Sequence, residues 1–590
     1  MTIYTSKYPS VEHFPTDMDL YSFMFEYFPK NRPDPRGKRI PLLIDDDTGK
    51  SLTLEDMHER VDLLSLGMVE HLGGGQNSID NSTVAIFSAN TIDFPIILWA
   101  THRLGGVVSG ANPGYTASEL KYQLEAAGAK TLFVGEDPVS LKAGLEAAEK
   151  AGIPKDRIVV IQSAATMAKG GAGKVDGLWT VSALIEAGAE LLKKKGHGAL
   201  SSTRRKLKSD EGKIKLAFLS FSSGTTGLPK GVKISHSNPI ANVLQYTAFS
   251  EIPNRIGVRG VRHTPGRDVA LGVLPWFHIY GLVVILHAMM WHGTAVVAIP
   301  RFRGIVPFLD SVVKHKISHW FLVPPMVVLF VKDPAAEKYM DQLRQIVRFC
   351  IVGAAPLSDE LSRQFHSKLP GLDFGQGYGM TETSTIVTGH APKQKPAYGS
   401  CGRIISNTEV RIVKPDGKDA GMGESGELWK ATQEMWMEGG WLRTGDETII
   451  DDEGDLYIVD RLKELIKVKG FQVPPAELEG LLLDIPDVGD AGVVGIADDA
   501  AGELPIAFIS LSAEAKKRVS SGGDAEATKV KEAVKKFVMD NKVKYKWLAG
   551  VQIIETIPKT ASGKILRGDL RTLAKGMKPD PKVREAVSKL

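Results

Sequence analysis

Short apolar, β-branched runs punctuate the first part of the chain, at residues 84–87, 131–134, 158–161 and 216–221. Runs of that length with no polar alternation read as strands buried on both faces. Helix-like stretches separate them, and this alternation predicts α/β layering. The pattern changes near Arg461. Beyond it come two short strands, 492–496 and 506–511, and an amphipathic helix over 527–540 with Val530, Val534, Phe537 and Val538 on one face. The expected fold is therefore α/β: a large N-terminal domain of layered sheets and helices, residues 1–462, and a small α+β C-terminal domain, residues 463–590. With the join near Lys463, an active site between the domains is expected. No internal repeat interrupts this scheme.

Residues 193–215 break the rhythm, being basic, Gly/Ser-containing and poor in apolar residues. They read as a surface loop, since no aromatic residues interleave as they do in a nucleic-acid patch. The net charge of +4 over 590 residues gives no case for nucleic acid or a membrane surface. The longest apolar stretch, 282–291, contains His287 and is too short to span a bilayer, so no transmembrane segment is expected. The start, MTIYTSKYPSVEHF, has no basic end followed by an apolar core and predicts no secretory signal. The two cysteines, Cys350 and Cys401, form no CxxC pair, which argues against a disulfide scaffold or thiolate zinc site and fits a reducing compartment. The chain closes on Ser588-Lys589-Leu590, the tripeptide read by the peroxisomal import receptor, so a peroxisomal location is expected.

The strand at 216–221 runs into Ser222-Ser223-Gly224-Thr225-Thr226-Gly227-Leu228-Pro229-Lys230-Gly231. Glycines and small hydroxyl residues let backbone N–H groups converge on phosphate oxygens, and Lys230 adds charge. The spacing is not that of a Walker A loop, because Pro229 stands between the glycines and Lys230. By itself the segment fits a phosphate loop or an ordinary Ser/Gly/Thr turn.

Further segments resolve that choice by resemblance. Ala111-Asn112-Pro113-Gly114-Tyr115-Thr116, Leu274-Pro275-Trp276-Phe277-His278-Ile279-Tyr280 and Gly353-Ala354-Ala355-Pro356-Leu357 occur in that order. Gly375-Gln376-Gly377-Tyr378-Gly379-Met380-Thr381-Glu382 and Gly440-Trp441-Leu442-Arg443-Thr444-Gly445-Asp446 follow. Asp460-Arg461-Leu462-Lys463-Glu464-Leu465-Ile466-Lys467-Val468-Lys469-Gly470 and Pro558-Lys559-Thr560-Ala561-Ser562-Gly563-Lys564 complete the series. The chain resembles the adenylate-forming superfamily of acyl-CoA synthetases, luciferases and peptide-synthetase adenylation domains, in wording most similar to 4-coumarate–CoA ligase-like enzymes.

The resemblance implies an ATP-dependent acyl-CoA ligase. A carboxylate attacks the α-phosphorus of ATP, pyrophosphate leaves, and the acyl group of the acyl-AMP then passes to coenzyme A. Two anions must approach, so the site must supply positive charge and alignment. By resemblance, Lys564 bridges the carboxylate and the α-phosphate. Ser222, Ser223, Gly224, Thr225, Thr226, Gly227 and Lys230 hold the phosphates. Glu382 holds Mg2+, a hard cation that prefers oxygen ligands, and Thr381 touches the α-phosphate. Asp446 accepts from the ribose hydroxyls, with Arg461 nearby. Tyr378 and Gly353, Ala354, Ala355 and Pro356 sandwich the adenine, with Gln376, Gly377 and Gly379 in the same wall. His278 gates the pocket and orients the acyl carboxylate. The small domain is expected to be mobile, turning about Lys463 to withdraw Lys564 and present Lys467. Lys469, Gly470 and Arg301 are expected along the path of coenzyme A.

Tyr280, Val284, Ala354 and Gly377 are expected to line the acyl pocket. They suggest a hydrophobic acid, aryl or medium-chain, without choosing between them. One departure stands out. After Trp429 the connection to Gly440 is roughly fourteen residues shorter than is usual in such enzymes. That predicts either a trimmed loop or a displaced Asp446 and a weakened sheet. Enzymes that load a carrier protein, luciferase-type oxygenases and non-catalytic nucleotide-binding relatives share the motifs and stand as alternatives.

Overall fold

A computed structural model of the chain describes residues 2–72, 79–168, 173–222, 229–395, 397–431, 440–469, 471–499, 501–560 and 563–588. The architecture is α/β, as the alternating pattern predicts. The first sheet holds β1 (Thr83–Phe87), β2 (Val107–Ala111), β3 (Ala129–Gly135), β4 (Ile158–Ile161), β5 (Leu216–Ser222) and β6 (Lys230–Ser235), with the short strand Trp179–Thr180 at one edge. Its order is β6-β5-β2-β1-β3-β4, and every pair is parallel except the β5–β6 hairpin. Every residue of β1 and β4 is buried, which is why these strands read as unbroken apolar runs.

The second sheet contains β7 (Val269–Gly272), β8 (Ala295–Ala298), β9 (His319–Leu322), β10 (Phe349–Val352), β11 (Asp373–Met380) and β12 (Thr385–Gly389). Helix α1 (Pro324–Lys332) follows β9, and α2 (Asp359–Lys368) joins β10 to β11. The strands from β8 through β11 are parallel, and β12 returns antiparallel to β11. The apolar stretch flagged in the sequence forms a π-helical segment, Tyr280–Met289, all of whose residues are buried. It is a core element; no helix among the described residues is long and apolar enough to cross a membrane.

A third, antiparallel sheet contains β13 (Glu409–Val413), β14 (Ser425–Ala431), β15 (Trp441–Ile450) and β16 (Leu456–Arg461). A turn at 462–464 then leads into the last sheet, with β17 (Ile466–Val468), β18 (Val488–Asp498), β19 (Gly502–Leu511) and β20 (Gly550–Ile553). Helix α3 (Pro475–Leu483) packs beside β18, and α4 (Ala513–Asn541), broken at Gly523, covers this sheet through Val530, Val534 and Val538. This last part encloses its own apolar core.

The basic segment 193–215 departs from the expected surface loop. It contains the end of a helix, Val181–Lys195, a further helix at Gly198–Thr203 and a turn at Glu211–Lys213. The segment stays largely exposed, and several of its cations are anchored: Arg204 on Glu26, Arg205 on Glu211, and Lys215, itself buried, on Asp80 at 2.6 Å. Paired charges fold onto a surface that the same charges, unpaired, would avoid.

Candidate active site

A cleft of about 1040 Å³ runs between the second and third sheets and the last one. The chain enters it wherever a strand ends or a hairpin turns. From β2 come Asn112 and Tyr115; from the β5–β6 hairpin, Ser222 and Lys230; from the turn after β11, Thr381 and Glu382. The last domain contributes Lys559, Thr560 and Lys564. Lys230 pairs in register with Ser222, so β5 is followed by an antiparallel strand, whereas a Walker A loop leads into a helix. Ser223, Gly224, Thr225, Thr226 and Gly227 lie outside the described residues.

Behind the wall formed by Tyr378, Thr444, Gly445 and Arg461 lies Asp446, itself buried and off the lining. Tyr378 donates its hydroxyl to Asp446 Oδ2 at 2.5 Å, and Arg461 Nε stands 3.3 Å from Oδ1. Burial raises the Asp446 carboxyl above its ordinary value, and Arg461, the Tyr378 hydrogen bond and Lys564 pull it back. Burial and the neighbouring carboxylate push the Tyr378 hydroxyl well up, so it stays a donor. The short connection after Trp429 leaves this arrangement in place. Trp429 pairs with Arg443 and Ala431 with Trp441, so the β14–β15 ladder closes. The Glu427 carboxylate accepts from Gly445 N at 3.2 Å and from Arg443 Nε at 2.8 Å, fixing the turn before Asp446. Asp446 keeps its partners Tyr378 and Arg461, while residues 432–439 of the connection lie outside the described residues.

Ala354 follows β10 in the left-handed region, with φ 71°, and lines the cleft beside Gly353. A non-glycine residue held there is a strained position that the surroundings must enforce. Gln376 does so. Its side chain accepts from Leu357 N at 2.8 Å and donates to Leu357 O at 3.2 Å, tying the loop that contains Ala355 and Pro356 to β11. Gln376 is thus buried behind the wall, where sequence resemblance had set it in the wall itself; Ala355 and Pro356 also lie off the lining. Gly377, Tyr378, Gly379, Thr381 and Glu382 do line it. At Gly379 a Cβ would come within 1.5 Å of Thr385 O, so the close crossing of β11 and β12 demands glycine. Glu382 is exposed on the cleft and has no ion-pair partner among the described residues, a hard oxygen donor that fits Mg2+.

Lys564 sits in a tight loop. Thr560 N donates to Lys564 O at 2.8 Å, and Lys564 N to Thr560 Oγ1 at 3.1 Å. Burial, with Arg461 next, lowers its ammonium below the usual lysine range. The loop is held from behind by Arg567, whose guanidinium meets Glu479 at 2.9 and 3.0 Å and Glu464 at 3.0 Å. His278 lies across the cleft. Loss of water around the ring, and then the Lys564 charge, push it down to about 4, so it is neutral at pH 7.

Beyond His278 the cleft turns apolar. Tyr280 donates to Ile351 O at 3.1 Å, and Val284, Ala354 and Gly377 line the passage. Its floor contains Phe249, Phe321 and Phe349, with Tyr246, Arg262 and His390 as polar members that sequence reading missed. Arg262 is neutralised by Asp373 at 2.8 Å. Lys463 reaches the cleft from the turn between the last two sheets. Lys467, Lys469 and Arg301 are exposed and off the lining, and Gly470 lies outside the described residues.

Comparison with known proteins agrees with this arrangement. The sequence matches the AMP-binding enzyme family over residues 33–439 and the AMP-binding enzyme C-terminal domain over 477–564. It is 36% identical to a 4-coumarate-CoA ligase of Narcissus pseudonarcissus, covering 97% of this chain and 96% of the relative. It is 34% identical to a 4-coumarate–CoA ligase-like protein of Arabidopsis thaliana, covering 96% of each. Among solved structures, an anthranilate CoA ligase in complex with anthranoyl-AMP shares the fold at a TM-score of 0.74 and 20% identity, over 95% of this chain and 98% of that one. A benzoate CoA ligase from Burkholderia xenovorans does so at 0.72 and 20%, over 94% of this chain and 100% of that one. The chain belongs to the AMP-binding, adenylate-forming enzyme family.

Proposed function

We propose that this protein is an AMP-forming acid–thiol ligase that activates a hydrophobic carboxylic acid with ATP and passes the acyl group to coenzyme A. The observation that supports it best is the meeting of Lys564, His278, Tyr378 and Arg461 in one cleft whose far end is apolar, with Asp446 buried behind Tyr378 and Arg461. In the first step a carboxylate oxygen bonds to the α-phosphorus as the bond to pyrophosphate breaks. Lys564 balances the charge that builds between the two anions, and Asp446 fixes the ribose by accepting its hydroxyl hydrogens. Neutral His278 donates a hydrogen bond to the carboxylate without competing for a proton. Glu382 would hold Mg2+, which would supply positive charge beside the phosphates. In the second step the thiol sulfur bonds to the acyl carbon and AMP leaves, the thiol proton passing to solvent. With Lys467 and Lys469 outside the cleft, this step is proposed to follow a turn about Lys463.

The substrate is proposed to be an aryl acid, such as a cinnamate, or a medium-chain fatty acid. The ring-lined floor and the names of the relatives favour the aryl acid. Peroxisomal import through Ser588-Lys589-Leu590 is proposed from the tripeptide. The test is a panel of acids followed by AMP release, with and without coenzyme A. Cinnamates or medium-chain acids are expected to lead and acetate to trail, because acetate leaves the apolar floor unfilled. Best activity on acetate or an amino acid overturns the substrate reading. Oxygen consumption, or transfer only to a carrier protein, replaces the reaction reading.

A further inference from the structure

Helix α1 meets the last domain at both of its ends. At its start, Gly563 approaches so closely that a Cβ there would lie 3.3 Å from Pro325 Cδ and 3.3 Å from Val323 Cγ2. Gly563 immediately precedes Lys564. At its end, Lys332 Nζ donates to Leu483 O at 2.7 Å and to Val488 O at 2.9 Å. Leu483 is the last residue of α3, so its carbonyl is one of the acceptors that a helix cannot satisfy internally. A cation placed there also meets the negative end of the helix dipole. Lys332 therefore caps, from the large domain, a helix of the small one.

The capped turn is linked to the lysine loop. Asp490, two residues past Val488, holds Lys559 Nζ at 2.6 and 2.8 Å, and Lys559 belongs to the segment that presents Lys564. Ser358, before α2, adds a further close approach: a Cβ on Gly480 of α3 would lie 3.1 Å from its own Cβ. These contacts join residues of different domains in the orientation that has Lys564 in the cleft. A contact made in one orientation alone biases the balance between orientations by its own free energy.

We propose that Lys332 is a positioning residue for acyl-AMP formation. It latches the small domain in the orientation that places Lys564 in the cleft, and lets go when the domain turns for transfer to the thiol. The proposal rests on the two-step function above. Its two acceptors are main-chain carbonyls, one at the end of α3 and one at the start of β18, so the latch reads the position of the backbone there and not its side chains.

The test compares Lys332→Met, which keeps the stem and removes the charge, with Lys332→Arg. With cinnamate, pyrophosphate release in the absence of coenzyme A should slow about tenfold in Lys332→Met, equivalent to about 1.4 kcal/mol. Conversion of synthetic cinnamoyl-AMP and coenzyme A to the thioester should match the wild type or exceed it, and Lys332→Arg should recover the first step. Equal losses in both steps, or no loss in either, overturn the latch. Hydrogen exchange gives a readout independent of turnover: the amides of 563–566 and of α1 should exchange faster in Lys332→Met than in the wild type, and unchanged exchange overturns the proposal. If the wild type releases no AMP from any acid, the function is refuted while the exchange result still decides the latch.

Discussion

Tyr378 and Asp446 share a 2.5 Å hydrogen bond across two sheets, one residue from β11 and the other from β15. The bond orients a buried carboxylate whose other oxygen faces Arg461. Tyr378→Phe keeps the ring and frees the carboxylate to rotate. The KM for ATP is expected to rise about tenfold with kcat little changed, as for loss of one hydrogen bond to a charged group. An unchanged KM refutes the assignment of Asp446 to the ribose.

Lys564→Ala is expected to cut acyl-AMP formation by about 10²–10³ while sparing transfer from synthetic acyl-AMP. The two rates are read separately, as pyrophosphate release and as thioester formation. Should they drop together, the lysine serves the fold or both steps, and the two-orientation scheme is wrong.

Stability should weaken between neutral and mildly acid pH. Burial holds His278, His287 and His319 down to about 4 and His102 and His292 down to about 3, from an ordinary 6.5. Between those values and 6.5 the unfolded chain binds more protons than the folded one. Stability therefore rises with pH there and is lost as pH falls, by up to about 1.4 kcal/mol per histidine per pH unit. Asp19, pushed up to about 6, works in the opposite sense and offsets part of this. Denaturant titrations at pH 7.5 and pH 5 should show a lower unfolding free energy at pH 5. A flat profile refutes the buried, neutral state of these rings.

If the tripeptide is read as proposed, the full chain is expected in peroxisomes and removal of Leu590 is expected to leave the protein cytosolic. Fluorescence imaging of the two forms in the same cells decides it, and identical import of both removes the argument.

The parts of the fold that were legible are those where burial is two-sided. β1 and β4 are apolar throughout because helices or neighbouring elements cover both faces, and they matched the runs seen in the sequence. Residues 193–215 were misread because a run of cations looks solvated until its acids are located, and Glu26 and Asp80 lie far off in sequence. The motifs marked most of the cleft. Gln376 belongs to the wall by its neighbours in sequence, but its amide is taken up by the backbone of Leu357 and the side chain is buried there. Tyr246, Arg262 and His390 sit in no motif and meet only through packing of the floor. Lys332 was invisible for a different reason: its partners are carbonyls, which every residue has.

The parallel pairing of β10 and β11 has a consequence for how such an enzyme can diversify. These adjacent strands lead into Gly353 and Ala354 on one side and contribute Gly377 and Tyr378 on the other, so a single partition faces both the proposed nucleotide and the proposed acid. A mutation there trades one ligand against the other. Val284 and the floor residues Tyr246 and Phe249 line the cleft outside that partition. Drift toward a new acid can proceed through those positions while the nucleotide site stays intact, and lineages that separate by substrate should carry their differences there.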